Sequence, residues 1–128
     1  MITLEQIKAV MIGHAIGDAL GVPVEFCERE ELKTNPVVDM RGYGTYPVPA
    51  GSWSDDTSMS IAALDSLAKG TVNLDEIMDN FVEWVEEGKY TPTGKSFDMP
   101  YIPYEHETYR LLPGSRKNGG EVFEYPHE

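Results

Sequence analysis

Apolar positions recur at helical spacing in three stretches of this chain. In the first, Ile7, Val10, Met11, Ala15 and Ala19 share one face, as a period of 3.6 residues requires. Thr3 opens this helix. Gln6, three residues on, completes the pattern of a capping box, in which each side chain satisfies a free backbone N–H of the other residue. Gly21 and Pro23 end the helix, and His14, on or beside its apolar stripe, reads as a core or interface histidine. A second helix is predicted from about Asp55 to Lys69, with Met59, Ala62, Ala63 and Leu67 buried and Gly70 as its stop. A third starts at Asn73, where Glu76 makes another capping box. Leu74, Ile77, Met78, Phe81, Val82 and Val85 form its stripe, and Gly88 ends it. Residues 22–53 show no sustained period and read as a long, mostly irregular loop. Loops of that length are uncommon in compact domains unless they serve a site. Residues 89–128 carry five prolines and no period; Pro100 and Pro103 forbid a regular helix there. The predicted architecture is mainly α.

Two motifs exceed what helix formation needs. Gly13, Gly17 and Gly21 recur every four residues and so share a helical face. Each glycine inside a helix costs roughly 1 kcal/mol relative to alanine, so three of them imply a packing or ligand reason. The second motif is Gly51-Ser52-Trp53-Ser54-Asp55-Asp56-Thr57-Ser58-Met59. Ser54 is placed to cap the second helix through its hydroxyl, and Asp55 and Asp56 fall in the first turn, where the helix dipole favours negative charge. A hydroxyl and two adjacent carboxylates also supply the oxygen ligands that a hard cation such as Mg²⁺ takes.

Together these segments carry a resemblance. Gly13-His14-Ala15-Ile16-Gly17-Asp18-Ala19-Leu20-Gly21-Val22-Pro23-Val24-Glu25, followed by Gly51 to Met59 and by Tyr90-Thr91-Pro92-Thr93-Gly94-Lys95-Ser96-Phe97-Asp98, resembles the N-terminal part of the ADP-ribosylglycohydrolases. The three elements stand in the family's order and cover about residues 5–98. The resemblance implies a truncated N-terminal portion of an all-α ADP-ribosylglycohydrolase-like fold. It implies hydrolysis of an N- or O-glycosidic bond that joins ADP-ribose to a protein side chain. Ser54, Asp55 and Asp56 would hold Mg²⁺ (or Mn²⁺). Glu25 would be a catalytic carboxylate near the metal. Asp98 would hold the ribose or act as a base. Asp18 takes a structural role, facing the loop. Trp53 either walls the ligand pocket or belongs to the core. Family members carry a second acidic cluster, D-x-D-(S/T), that completes a two-metal site; this chain has none, and Asp55-Asp56 is its only adjacent aspartate pair. Residues 1–98 are the family-like region, and 99–128 read as a divergent tail, truncated or out of frame.

Composition narrows the partners. A net charge of −12 argues against a nucleic-acid backbone or an anionic membrane. The expected partner is ADP-ribose or an ADP-ribosylated protein, with association of like copies. The single cysteine, Cys27, cannot form an internal disulfide, which fits a reducing, cytoplasmic setting. Its only basic neighbour is Arg29, so it takes no redox role. The apolar stretches read as too short and too interrupted to cross a membrane. No Walker-type phosphate loop, Cys/His metal cluster or serine triad signature occurs. A second reading, of a different class, is a non-catalytic binding or structural remnant of the same family.

Overall fold

The computed structural model describes residues 2–98. They fold into helices with no strand among the described residues. The order is α1 (Leu4–Gly21), a 3-10 turn (Val22–Val24), α2 (Arg29–Thr34), α3 (Asp55–Leu67) and α4 (Leu74–Glu87). The expected tail, residues 99–128, lies outside the described residues.

Local chemistry sets most of the ends. At α1 the Thr3 hydroxyl accepts the Gln6 N–H at 3.2 Å, and the Gln6 side chain accepts the Thr3 N–H at 2.9 Å. At α4 only half the expected box forms. Asn73 accepts the Glu76 N–H at 3.2 Å, but the Glu76 carboxylate turns to the ammonium of Lys69 instead. That ion pair ties the end of α3 to the start of α4. Helix α3 stops at Leu67, two residues before the expected Lys69, because its last turn tightens: Lys69 N–H bonds Ser66 O and Gly70 N–H bonds Leu67 O. Gly88 closes α4 in the left-handed region, at φ 69°. A Cβ there would lie 2.1 Å from the Gly94 carbonyl oxygen, so both conformation and space demand glycine.

The segment 22–53 is less irregular than its pattern suggests. It contains the 3-10 turn and the six-residue α2. Helix α2 has no buried residue and no side-chain cap, so it leaves no apolar period in the sequence. The rest of the loop folds back under the end of α1. Gly44 passes so close to Pro23 that a Cβ would meet its carbonyl oxygen at 2.0 Å. The Thr45 N–H then bonds Pro23 O at 3.1 Å, and the Thr45 hydroxyl bonds Glu25 O at 2.7 Å.

Helix α3 is the hub, packing on α4 and on α1. Small buried side chains let the helices approach: Ser58, Ala62 and Ser66 on α3, and Ala19 on α1. Trp84 of α4 is buried, and Asn80 donates to Ala62 O at 2.9 Å. Several positions expected in the core lie elsewhere. Leu67 is exposed, and Met59 and Ala63 are half-buried. On α1, Ile7 and Val10 are exposed, Val10 at 69%. Leu74 and Met78 of the α4 stripe are exposed as well. No described element covers these faces.

The expectation that no apolar stretch is long enough to cross a membrane needs correction. Leu4–Val24 runs for 21 residues and contains an 18-residue window of mean hydropathy 1.3, sufficient by length and composition alone. Glycines count as neutral on that scale and do not interrupt the helix. A helix apolar around most of its circumference is equally the central helix of a larger helical domain.

Candidate active site

Asp18, in the last turn of α1, organises the site. Its carboxylate accepts the Ser54 N–H at 3.0 Å, the Ser54 hydroxyl at 2.7 Å and the Thr57 N–H at 3.0 Å. Ser54 and Thr57 are buried, so these donors have no access to bulk water and need a protein partner. The Ser54 hydroxyl therefore does not cap α3, as the sequence suggested. It donates to Asp18, and Asp18 does the capping from another helix. An anion at a helix N-terminus also meets the positive end of the dipole. Asp18 is structural as expected, and what it does is fix the start of α3 against the end of α1.

That junction opens onto a cleft of about 360 Å³, lined by Gly13, His14, Gly17, Asp18, Gly21, Val22, Glu25, Ser54 and Asp56. The three glycines form its floor. A Cβ built on any of them meets nothing within 4 Å, so among the described residues they face open space and not a packed helix. His14 is exposed at this cleft, its Nε2 3.2 Å from the Ser60 hydroxyl, and is not a core histidine. Among the described residues no lysine or arginine lines the cleft. Arg41 is spent on Asn35 and Pro36 O.

Carboxylates gather on one side. Burial pushes the Glu25 carboxyl above the usual range, the Tyr46 hydroxyl beside it pulls the other way, and Asp98 and Asp55 push it further up. Glu25 Oε2 is buried and has no hydrogen-bond partner among the described residues. Burial also raises Asp55, with Asp98 and Asp56 adding like-charge repulsion. Asp98 accepts the Tyr46 hydroxyl at 2.6 Å. The fold thus brings Glu25, Asp55 and Asp98 together across more than 70 residues of chain, with Asp56 and Ser54 on the cleft wall beside them. Among the described residues no three His, Cys, Asp or Glu side chains are arranged to enclose a metal ion.

Trp53 is half-buried and absent from the cleft's lining. Its indole N–H bonds Tyr90 O at 3.1 Å. It braces the segment that carries Asp98, helped by Tyr90 OH to Asp65 at 2.7 Å and Ser96 Oγ to Val85 O at 3.1 Å. Tyr46 was not legible as a site residue. It sits in a Gly- and Pro-rich stretch, and its partner lies 52 positions away.

Comparison with known sequences identifies the architecture. The ADP-ribosylglycohydrolase family pattern matches residues 1–121. The chain belongs to that family. The match extends past the motifs that end at Asp98 and takes in part of the stretch beyond the described residues. Among its relatives, the ADP-ribosylarginine hydrolase Tri1 of Serratia proteamaculans is 34% identical over 98 residues, 76% of this chain and 26% of the relative. The Tri1 protein of Pseudomonas putida is 34% identical over 97 residues, 75% of this chain and 25% of the relative. The ADP-ribosyl-[dinitrogen reductase] glycohydrolase of Rhodospirillum rubrum is 33% identical over 112 residues, 85% and 38%. The chain therefore spans between a quarter and two fifths of these ADP-ribosylglycohydrolases.

Proposed function

We propose that this chain forms one wall of a metal-dependent ADP-ribosylglycohydrolase site, acting on the glycosidic bond between ADP-ribose and a modified protein side chain. The observation that carries the reading is the Asp18 junction. It sets the Asp55-Asp56 end of α3 at a cleft shared with Glu25 and adjoining Asp98. The names of the relatives, hydrolases of ADP-ribosylarginine and of ADP-ribosylated dinitrogen reductase, support the substrate class.

The donor types, hydroxyl and carboxylate oxygens, are those a hard cation takes, and the described residues supply only part of its shell. Several carboxylates stand close together with no lysine or arginine lining the cleft among the described residues, and a buried Glu25 oxygen lacks a partner among them. Ser54, Asp55 and Asp56 would hold Mg²⁺ or Mn²⁺, with water filling the remaining positions. An ion held there would supply positive charge to orient the ribose hydroxyls and offset charge at the reacting centre. Glu25, partly desolvated, activates water or stabilises positive charge on the sugar. Asp98 holds the ribose or takes a proton. The glycine floor lets a ligand approach the α1 backbone closely.

The test is calorimetric titration of the 128-residue chain with ADP-ribose in Mg²⁺. The reading expects measurable binding that Glu25→Ala and Asp56→Ala each weaken about tenfold or more, the scale of one lost charge-assisted contact. Equal binding by all three proteins would overturn it. The alternative, a non-catalytic remnant, predicts ADP-ribose binding without turnover.

A further inference from the structure

We infer that Tyr46 is a positioning residue: its hydroxyl holds the Asp98 carboxylate in place beside Glu25. Its importance for ligand binding rests on the function proposed above; the contact itself does not.

The geometry links the Glu25 and Asp98 segments through adjacent residues: Thr45 holds the Glu25 main chain, and the Tyr46 side chain holds the Asp98 carboxylate. Its main chain is fastened on the Glu25 side, where the neighbouring Thr45 donates through its hydroxyl to Glu25 O at 2.7 Å and through its N–H to Pro23 O at 3.1 Å. Its side chain reaches the other way, to Asp98 Oδ1 at 2.6 Å. The Tyr46 ring also packs on Phe97, the residue before Asp98, with centroids 5.2 Å apart and planes at 48°. So one side chain grips two consecutive residues of the Asp98 segment. Asp98 itself has φ 52°, in the left-handed region that aspartate enters more readily than most non-glycine residues.

A donor is needed at this point. Glu25 and Asp98 repel each other, and among the described residues no lysine or arginine lines the adjoining cleft. A phenol O–H is the neutral donor placed between them. Burial, then Asp98 and Glu25, push the phenol above its ordinary range, so it keeps its proton at neutral pH. Remove the hydroxyl, and the Asp98 carboxylate loses the donor of a short hydrogen bond while the ring contact with Phe97 remains.

The test compares wild type, Tyr46→Phe, Asp98→Asn and the double variant, each as the full 128-residue chain. The carbon-13 resonance of the Asp98 carboxyl is read without ligand in wild type and Tyr46→Phe, ADP-ribose affinity is read by calorimetry in Mg²⁺ for all four, and the melting midpoint is read separately. We expect Tyr46→Phe to move the Asp98 resonance, to weaken ADP-ribose binding about tenfold and to leave the midpoint nearly unchanged. The double variant should bind no more weakly than Asp98→Asn alone, because the hydroxyl acts through Asp98. An unmoved resonance, additive losses, or a midpoint that falls in step with affinity would each overturn the proposal. If the wild type binds no ADP-ribose, the functional reading fails, and the Asp98 resonance alone decides for or against the Tyr46 contact.

Discussion

Assayed alone with Mg²⁺, the 128-residue chain is expected to release ADP-ribose from ADP-ribosylarginine or ADP-ribosylserine peptides at least about 10²–10³-fold more slowly than a full-length relative. Removing a single preorganised charge-stabilising group costs roughly that much. Here a whole ligand set, the family's D-x-D-(S/T) cluster, is missing from the sequence. A site with one wall also admits water, which weakens every electrostatic contact inside it. Asp56→Ala and Glu25→Ala serve as controls, since any residual turnover that depends on the site must vanish with them. Turnover comparable to the full-length enzyme, abolished by both substitutions, would show that residues beyond Asp98 or a second chain supply the missing ligands.

The largest effect on stability is expected at Asp18. Asp18→Ala strips the partner from two backbone N–H groups and one hydroxyl, at Ser54 and Thr57, both buried. Bonds to a charged acceptor are worth about 1.5–3 kcal/mol each, and a buried donor left alone costs about 1–3 kcal/mol. The losses overlap, so a net destabilisation of about 3 kcal/mol is the expected scale. For a chain of this size that lowers the melting midpoint by roughly 10 °C or more. Asp18→Asn keeps one acceptor oxygen and should lose less. A midpoint for Asp18→Ala within a degree or so of wild type would show that the α1–α3 junction is held by something else.

How far the fold could be read from sequence follows the distance over which each signal acts. The starts of α1 and α4 were legible because Thr3 with Gln6, and Asn73 with Glu76, act within one turn. The start of α3 was legible from the Ser54-Asp55-Asp56 run, but its mechanism was not. The cap comes from Asp18, 36 positions upstream of Ser54, and no local rule encodes that. Tyr46 escaped for the same reason. Helix α2 escaped because it is short and buries nothing, so it has no apolar period to detect. The apolar stripes of α1 and α4 were read correctly as apolar. Their exposure at Val10, Leu74 and Met78 reflects what covers them, a property of the surroundings and not of the stripe. The glycine row at Gly13, Gly17 and Gly21 allowed either packing or a ligand, and among the described residues it lines the cleft with nothing packed on it.

The measurement that bears most directly on the proposed metal site is Mn²⁺ binding by calorimetry to the wild-type chain and to Asp55→Ala. If Ser54, Asp55 and Asp56 form one wall of the metal site, the wild type binds Mn²⁺ and the variant loses most of the affinity, because a hard anionic ligand has gone. Equal Mn²⁺ binding by the two proteins would contradict that assignment.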